Sequence, residues 1–356
     1  MVETTSYLYG HEAPFELEAG GTLPGFRLKY TTWGKLNPER SNVVWICHAL
    51  TGSSVFTHWW SGLFNGSGPF DPSDHFIICA NVLGGCYGST GPLSVNPASG
   101  LPFYDHFPAI TNRDIVRAFD RLRQHLGFEK IHTLIGGSLG GQQVLEWAIY
   151  RPEVFQRIVA IACNARQSAW GIAINEAQRM AIEADPSWGS ARPEAGLAGL
   201  RAARAMAMVS FRSYEAFEAQ REVVSDKLNN FKAAGYQRYQ GDKLVSRFDA
   251  FTFWTLSKAM DSQNTGRGRQ GVEAALAEIR ARALVIGIDS DGLFPPAEQR
   301  LIAQHIPGAQ FELLSSPYGH DAFLIEVDAL KKILGRFLST PCPACRAEAK
   351  FLEKAG

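Results

Sequence analysis

Apolar positions along the chain fall into two alternating patterns. Near-continuous apolar or β-branched runs recur at 26–33, 42–48, 75–82, 130–136, 157–163, 283–288 and 310–315, often bounded by Gly, Pro, Asn or Asp. Val43-Val44-Trp45-Ile46-Cys47 and Leu284-Val285-Ile286-Gly287-Ile288 carry no charged residue, as strands covered on both faces require. Between these runs, 113–126, 139–150, 296–305 and 322–338 show the helical spacing of apolar positions. Strand–helix alternation of this kind predicts an α/β fold, a mostly parallel sheet with crossover helices on both faces.

The alternation stops between 165 and 271. Helices are predicted there at 175–184, 193–209, 214–233 and 248–261, with no strand among them. The pattern predicts a helical cap at 165–271 inserted into a core made of 1–164 and 272–340, followed by a tail at 341–356. Gly266-Arg267-Gly268-Arg269-Gln270-Gly271 matches a dinucleotide-binding fingerprint letter for letter, but it follows a helical segment instead of a strand. It reads as the loop that returns the cap to the sheet.

Charge narrows the function classes. The 356 residues include 35 Lys+Arg and 35 Asp+Glu, a net charge of zero, with none of the basic excess of a nucleic-acid binder. No apolar run reaches the roughly 18–20 residues that span a bilayer. Met1-Val2-Glu3-Thr4-Thr5 lacks the basic start and apolar stretch of a signal peptide, so a cytoplasmic protein is expected. Six cysteines are too few for a disulfide scaffold. Cys47, Cys79 and Cys163 read as small buried hydrophobes. Cys342 and Cys345 form a lone C-x-x-C without a second ligand pair, so no metal is expected.

The strongest chemical signal is Gly136-Gly137-Ser138-Leu139-Gly140-Gly141, between a predicted strand and a predicted helix. G-x-S-x-G in that setting is a nucleophile elbow: a strained turn lifts the serine to a helix N-terminus, where free N–H groups stabilise an oxyanion. The serine needs a base, and the base an acid, in the chain order Ser, Asp or Glu, His. Asp289 and Asp291 follow the strand at 283–288, and His320 follows the next one. His48-Ala49-Leu50-Thr51-Gly52 follows the strand at 42–48, so the N–H groups of Leu50 and Leu139 are the candidate oxyanion donors. These residues leave an esterase, another hydrolase or an acyltransferase open.

Four strings decide further: Cys47 to Gly52, Asn81 to Pro92, Gly136 to Gly141, and Asp289-Ser290-Asp291-Gly292-Leu293-Phe294-Pro295. Together with Phe107-Pro108-Ala109-Ile110-Thr111 and a cap segment at 173–188, they resemble the homoserine O-acetyltransferase family, in order, from about Phe15 to Phe337. The resemblance implies an α/β-hydrolase fold and ping-pong transfer of an acetyl group from acetyl-CoA to L-homoserine, a step of methionine biosynthesis. It implies Ser138 as nucleophile, His320 as base and Asp291, not Asp289, as its acid. It implies Asp321 on the substrate ammonium, Arg212 on its carboxylate, no permanently bound cofactor, and a homodimer formed through cap helices such as 193–209. Leu139, Tyr87, Gly292 and Phe253 stand where the family often has Met, Gln, Trp and Tyr. Succinyl-CoA as donor, L-serine as acceptor, and hydrolysis by water are the competing activities.

Overall fold

The computed structural model describes residues 2–10, 13–66, 68–223 and 226–339. The chain begins with β1 (Glu3–Tyr9), a small hairpin of β2 (Phe15–Glu16) and β3 (Thr22–Leu23), then β4 (Phe26–Trp33), β5 (Val43–Cys47) and β6 (Phe76–Ala80). Next come α1 (Asn112–His125), β7 (Thr133–Gly137), α2 (Leu139–Tyr150) and β8 (Arg157–Ile161). Five helices follow: α3 (Ala169–Glu183), α4 (Leu197–Phe211), α5 (Tyr214–Glu218), α6 (Lys232–Val245) and α7 (Ala250–Asp261). The chain then runs through α8 (Val272–Ala277), β9 (Arg282–Ile288), α9 (Pro296–His305), β10 (Gln310–Leu314), α10 (Ala322–Ile325) and α11 (Val327–Ser339).

Eight strands form one sheet in the order β1-β4-β6-β5-β7-β8-β9-β10. The six from β6 to β10 are parallel, while β4 and β1 add an antiparallel edge. Every residue of β5, β7 and β8 is buried, because helices cover both faces. The side chains divide accordingly. Trp45, Phe119, Leu145 and Trp147 pack on one face, under α1 and α2. Phe56, Trp60, Ile135, Val159, Leu334 and Phe337 pack on the other, under α11. That helix buries Leu330, Ile333, Leu334 and Phe337, a stripe at i, i+3, i+4 and i+7. Each such side chain is worth about 1.5–3 kcal/mol. Helix α1 is fixed at its start by a capping box: Thr111 Oγ1 accepts from Asp114 N–H, and Asp114 Oδ2 accepts from Thr111 N–H at 2.9 Å.

The chain leaves for α3 and returns from α7 along a narrow stem. Gln167 N–H donates to Gln263 O and Thr265 N–H to Ala165 O, both at 2.9 Å. The glycine-rich loop at 266–271 follows this stem and ties it to the core. Arg267 pairs with Glu18 at 2.8 Å and Arg269 with Glu146 at 2.6 Å.

Four helices differ from the sequence expectation, the first being the one at 175–184, which begins earlier, at Ala169. The run at 214–233 is not one helix: α5 ends at Glu218 and α6 begins at Lys232. Asn229 and Asn230 lie in the gap, Asn230 with φ +53°. The run at 322–338 breaks at Glu326, which leaves the helical region and separates α10 from α11. The run at 193–209 becomes helical only at Leu197, after Gly196 at φ +77°. The tail at 341–356, with Cys342 and Cys345, lies outside the described residues.

Candidate active site

Strand register brings the chemistry together. Cys47 at the end of β5 pairs with Gly136 of β7, so the loop carrying Leu50 and the turn carrying Ser138 leave neighbouring strands at the same edge. Asp291 and His320 follow β9 and β10, which pair in parallel with Leu314 opposite Ile288. All four loops leave the carboxyl ends of parallel strands, where open α/β sheets place their sites.

Ser138 sits at φ +58° and ψ −126° between β7 and α2. A non-glycine residue held there costs about 1–3 kcal/mol, and the surrounding structure has to enforce it. It does so by contact. A Cβ on Gly140 would collide with the Cys47 carbonyl, so the first turn of α2 presses directly on the end of β5. Gln142 N–H donates to Ser138 O at 3.1 Å, and Ser138 N–H to Ile161 O at 2.9 Å.

The three side chains form one hydrogen-bonded line. Ser138 Oγ is 2.9 Å from His320 Nε2, and His320 Nδ1 is 2.7 Å from Asp291 Oδ2. Asp291 Oδ1 accepts from the N–H groups of Leu293 and Phe294 at 2.8 and 2.9 Å, which orients the carboxylate. Asp289 points elsewhere and accepts from Ser316 N–H at 3.0 Å, so the structure separates the two acids. The His320 ring stands among Phe211, Phe294 and Phe323, with centroids 5.8, 5.3 and 5.6 Å away. Burial pushes its pKa down, but the charge and hydrogen bond of Asp291, with the charge of Asp321, more than offset this and raise it. Among the described residues, the N–H groups of Leu50 and Leu139 donate to no loop or turn carbonyl, so both are free for an oxyanion.

The serine opens into a cavity of about 580 Å³ between the core and the inserted helices. Its charged lining is Arg204, Lys243, Arg247 and the single carboxylate Asp321. Arg212 does not line it. It ends α4 and faces a separate recess of about 820 Å³ that contains neither Ser138 nor His320. Its Nε lies 3.2 Å from Asp321 Oδ2, so it approaches the site only through that carboxylate. Two cap arginines line the serine cavity: Arg247, and Arg204, two turns before Arg212 on α4, with its guanidinium over the Phe211 ring at 5.3 Å. Burial lowers its pKa against the pull of Asp321. Arg204 was missed because a helix with arginines at 201 and 204 reads as a solvated surface. Its alignment with Ala203 and Ala207, both buried, was the available signal.

His48 is buried and not part of this line. Nδ1 lies 2.8 Å from Ala49 O and Nε2 accepts from Val82 N–H at 3.2 Å, which fixes the loop carrying Leu50.

Residues 42–327 match the alpha/beta hydrolase fold family. The homoserine O-acetyltransferase of Cyclobacterium marinum is 50% identical over 94% of this chain and 96% of its own length. That of Trichormus variabilis is 48% identical over 94% of each. Among solved structures, the Staphylococcus aureus homoserine O-acetyltransferase superposes with a TM-score of 0.80 at 28% identity, covering 98% of this chain and all of that one. Esterase E22 superposes at 0.86 with 23% identity over 95% of this chain and 100% of its own, a likeness of fold alone. A serine, histidine and aspartate in hydrogen-bonded line at the carboxyl edge of the sheet accompany this full-length identity, and the chain belongs to the homoserine O-acetyltransferase family of the α/β-hydrolase fold.

Proposed function

We propose that the protein transfers the acetyl group of acetyl-CoA to the side-chain hydroxyl of L-homoserine, through an acetyl group carried on Ser138. The observation that carries this reading is the Ser138–His320–Asp291 line inside a covered cavity that also holds three cationic side chains, Arg204, Lys243 and Arg247, and one carboxylate, Asp321. An amino acid presents one charge of each sign, and Arg204 and Asp321 supply the complementary pair.

His320 Nε2 takes the Ser138 proton as Oγ attacks the thioester carbonyl, and the imidazolium is balanced by Asp291. The oxyanion forms between the N–H groups of Leu50 and Leu139; one such donor is worth about 10²–10³ in rate. The C–S bond breaks, and His320 returns its proton to the departing thiolate. Homoserine then binds with its carboxylate on Arg204 and its ammonium on Asp321. His320 takes the proton of its hydroxyl, the hydroxyl oxygen attacks the acetyl carbonyl, and Ser138 leaves with that proton. The segment 165–271 acts as the cap that keeps water from the acetyl-serine, which separates transfer from hydrolysis.

The reading is of a cytoplasmic homodimer acting in methionine biosynthesis. The outer face of α4, where Met206 and Val209 stand 45% and 63% exposed, is the surface proposed for the second copy. Release of CoA from acetyl-CoA is measured with L-homoserine, with L-serine and without acceptor. Release that requires homoserine supports the reading; release independent of any amino acid makes the protein a thioesterase and removes the role given to Arg204 and Asp321.

A further inference from the structure

We propose that Tyr87, latched in place by Arg247, is the wall that limits the length of the acyl group on Ser138; the inference rests on the acyl-transfer reading above. Tyr87 lines the serine cavity and also closes a second space behind it. That space is bordered by His48, Leu50, Val82, Cys86, Phe248 and Leu256 and is too narrow to admit a water molecule. Leu50 and Gly52 border both, so the two spaces lie on either side of the oxyanion loop and the Tyr87 ring.

The ring is held at both ends. Its ring packs edge-to-face with the Phe248 ring, 5.8 Å between centroids and 67° between planes, and its hydroxyl accepts a hydrogen bond from Arg247 Nη1. The same nitrogen donates to Thr51 O at 2.8 Å, beside Leu50. The backbone is anchored as well, since Tyr87 O accepts from Asn81 Nδ2 at 2.8 Å. A side chain tied to this many partners does not swing aside for a longer substrate. The wall so placed is expected to leave room for a two-carbon acyl group and to obstruct a four-carbon one.

Arg247 adds a second consequence. Among the described residues no carboxylate lies within ion-pair distance of it, and the Tyr87 hydroxyl occupies one of its donors. Removing only that hydroxyl frees a cation, beside the oxyanion loop, for the distal carboxylate of a dicarboxylic acyl group. Arg247 is thus a positioning residue acting through Tyr87.

The test compares kcat/KM for acetyl-, butyryl- and succinyl-CoA with L-homoserine, and acylation by p-nitrophenyl acetate and butyrate, in the full-length protein. The wild type is expected to prefer acetyl over butyryl by about 10²-fold or more, since each methylene counts for roughly 10–200-fold. Tyr87→Ala is expected to raise the butyryl-to-acetyl ratio at least about tenfold in both assays. Tyr87→Phe, which cuts the latch to Arg247 but keeps the ring, is expected to raise that ratio by less than Tyr87→Ala and to raise the succinyl-to-acetyl ratio. Arg247→Met is expected to move the butyryl ratio in the direction of Tyr87→Ala, with Arg247→Lys restoring it. Unchanged ratios in variants that still acetylate overturn the proposal. If Tyr87→Ala fails to fold, unchanged ratios in Tyr87→Phe and Arg247→Met do the same. A wild type inert toward acyl-CoA, with Tyr87→Ala still shifting the ester ratio, leaves the wall standing and removes the transferase reading.

Discussion

Arg212 Nε stands 3.2 Å from Asp321 Oδ2, the carboxylate next in sequence to the His320 imidazole, while Arg204 occupies the serine cavity itself. Helix α4 thus sends two arginines toward the site with different tasks. One holds the carboxylate proposed for the ammonium, and the other faces the cavity proposed for the substrate. Replacing Arg204 with Met is expected to lower kcat/KM for L-homoserine by about 10²-fold, the loss of a charge-assisted pair. Replacing Arg212 with Met acts only through Asp321 and is expected to cost about tenfold or less. Burst acylation by p-nitrophenyl acetate should stay within about threefold of wild type in both. Equal loss in the burst and in acceptor use would remove the division of roles.

The pH profile follows from His320. Its pKa is raised above the ordinary imidazole value, and the neutral ring is the base, so acylation falls as pH drops through that raised value. Asp321 is one of the charges that raise it. Asp321→Asn is therefore expected to move the acid limb of the burst rate to lower pH. A limb that stays put or moves upward would contradict the assignment. Asp291→Asn removes the hydrogen-bonded partner of Nδ1 and is expected to cost about 10⁴ in kcat.

A stability prediction comes from His48. Burial pushes its pKa down to about 4, and both ring nitrogens are engaged, as acceptor from Val82 N–H and against Ala49 O. The unfolded chain takes up this proton near pH 6.5 and the folded one only near 4. Stability is thus full above about 6.5 and declines as pH falls toward 4, by roughly 2–3 kcal/mol for this residue. His132, pushed by burial to about 3, adds slope of the same sign. His48→Gln should flatten part of the decline in urea unfolding measured between pH 7 and 5. An unchanged slope would show that His48 titrates alike in both states.

Two glycines separate close approach from mere composition. Any Cβ at Gly140 collides with the Cys47 carbonyl, so Gly140→Ala must displace α2 or β5 and is expected to cost about 1–3 kcal/mol or more and to abolish Ser138 labelling. Gly335 on the exposed side of α11 has nothing near its Cβ position. Gly335→Ala should stabilise by about 0.5–1 kcal/mol through helix propensity. Thermal unfolding of the two variants checks both signs.

What the sequence made legible tracks how strongly burial constrained it. The central strands were readable because both faces of β5, β7 and β8 are covered, leaving uninterrupted apolar runs. Strand β1 was not, since its Glu-Thr-Thr-Ser start lies exposed at the edge of the sheet. The serine, histidine and aspartate were readable because an elbow demands glycines at fixed spacing and the chain order of the partners follows from the strands. Arg204 was not, because its meaning depends on how α4 seats over the sheet, and no local spacing encodes that; Tyr87 was legible only as a departure from the family's usual Gln. Arg212 carried the resemblance by neighbouring sequence, but the end of α4 turns it away from the cavity.

The proposed reaction rests on an acetyl group that is carried by Ser138 and leaves with homoserine. The direct test is mass spectrometry of the Ser138 peptide after acetyl-CoA is added without acceptor, then again after L-homoserine. A gain of one acetyl group on Ser138 is expected, discharged by homoserine with formation of O-acetylhomoserine and absent in Ser138→Ala. An unmodified Ser138 peptide, or transfer that persists in Ser138→Ala, would contradict it.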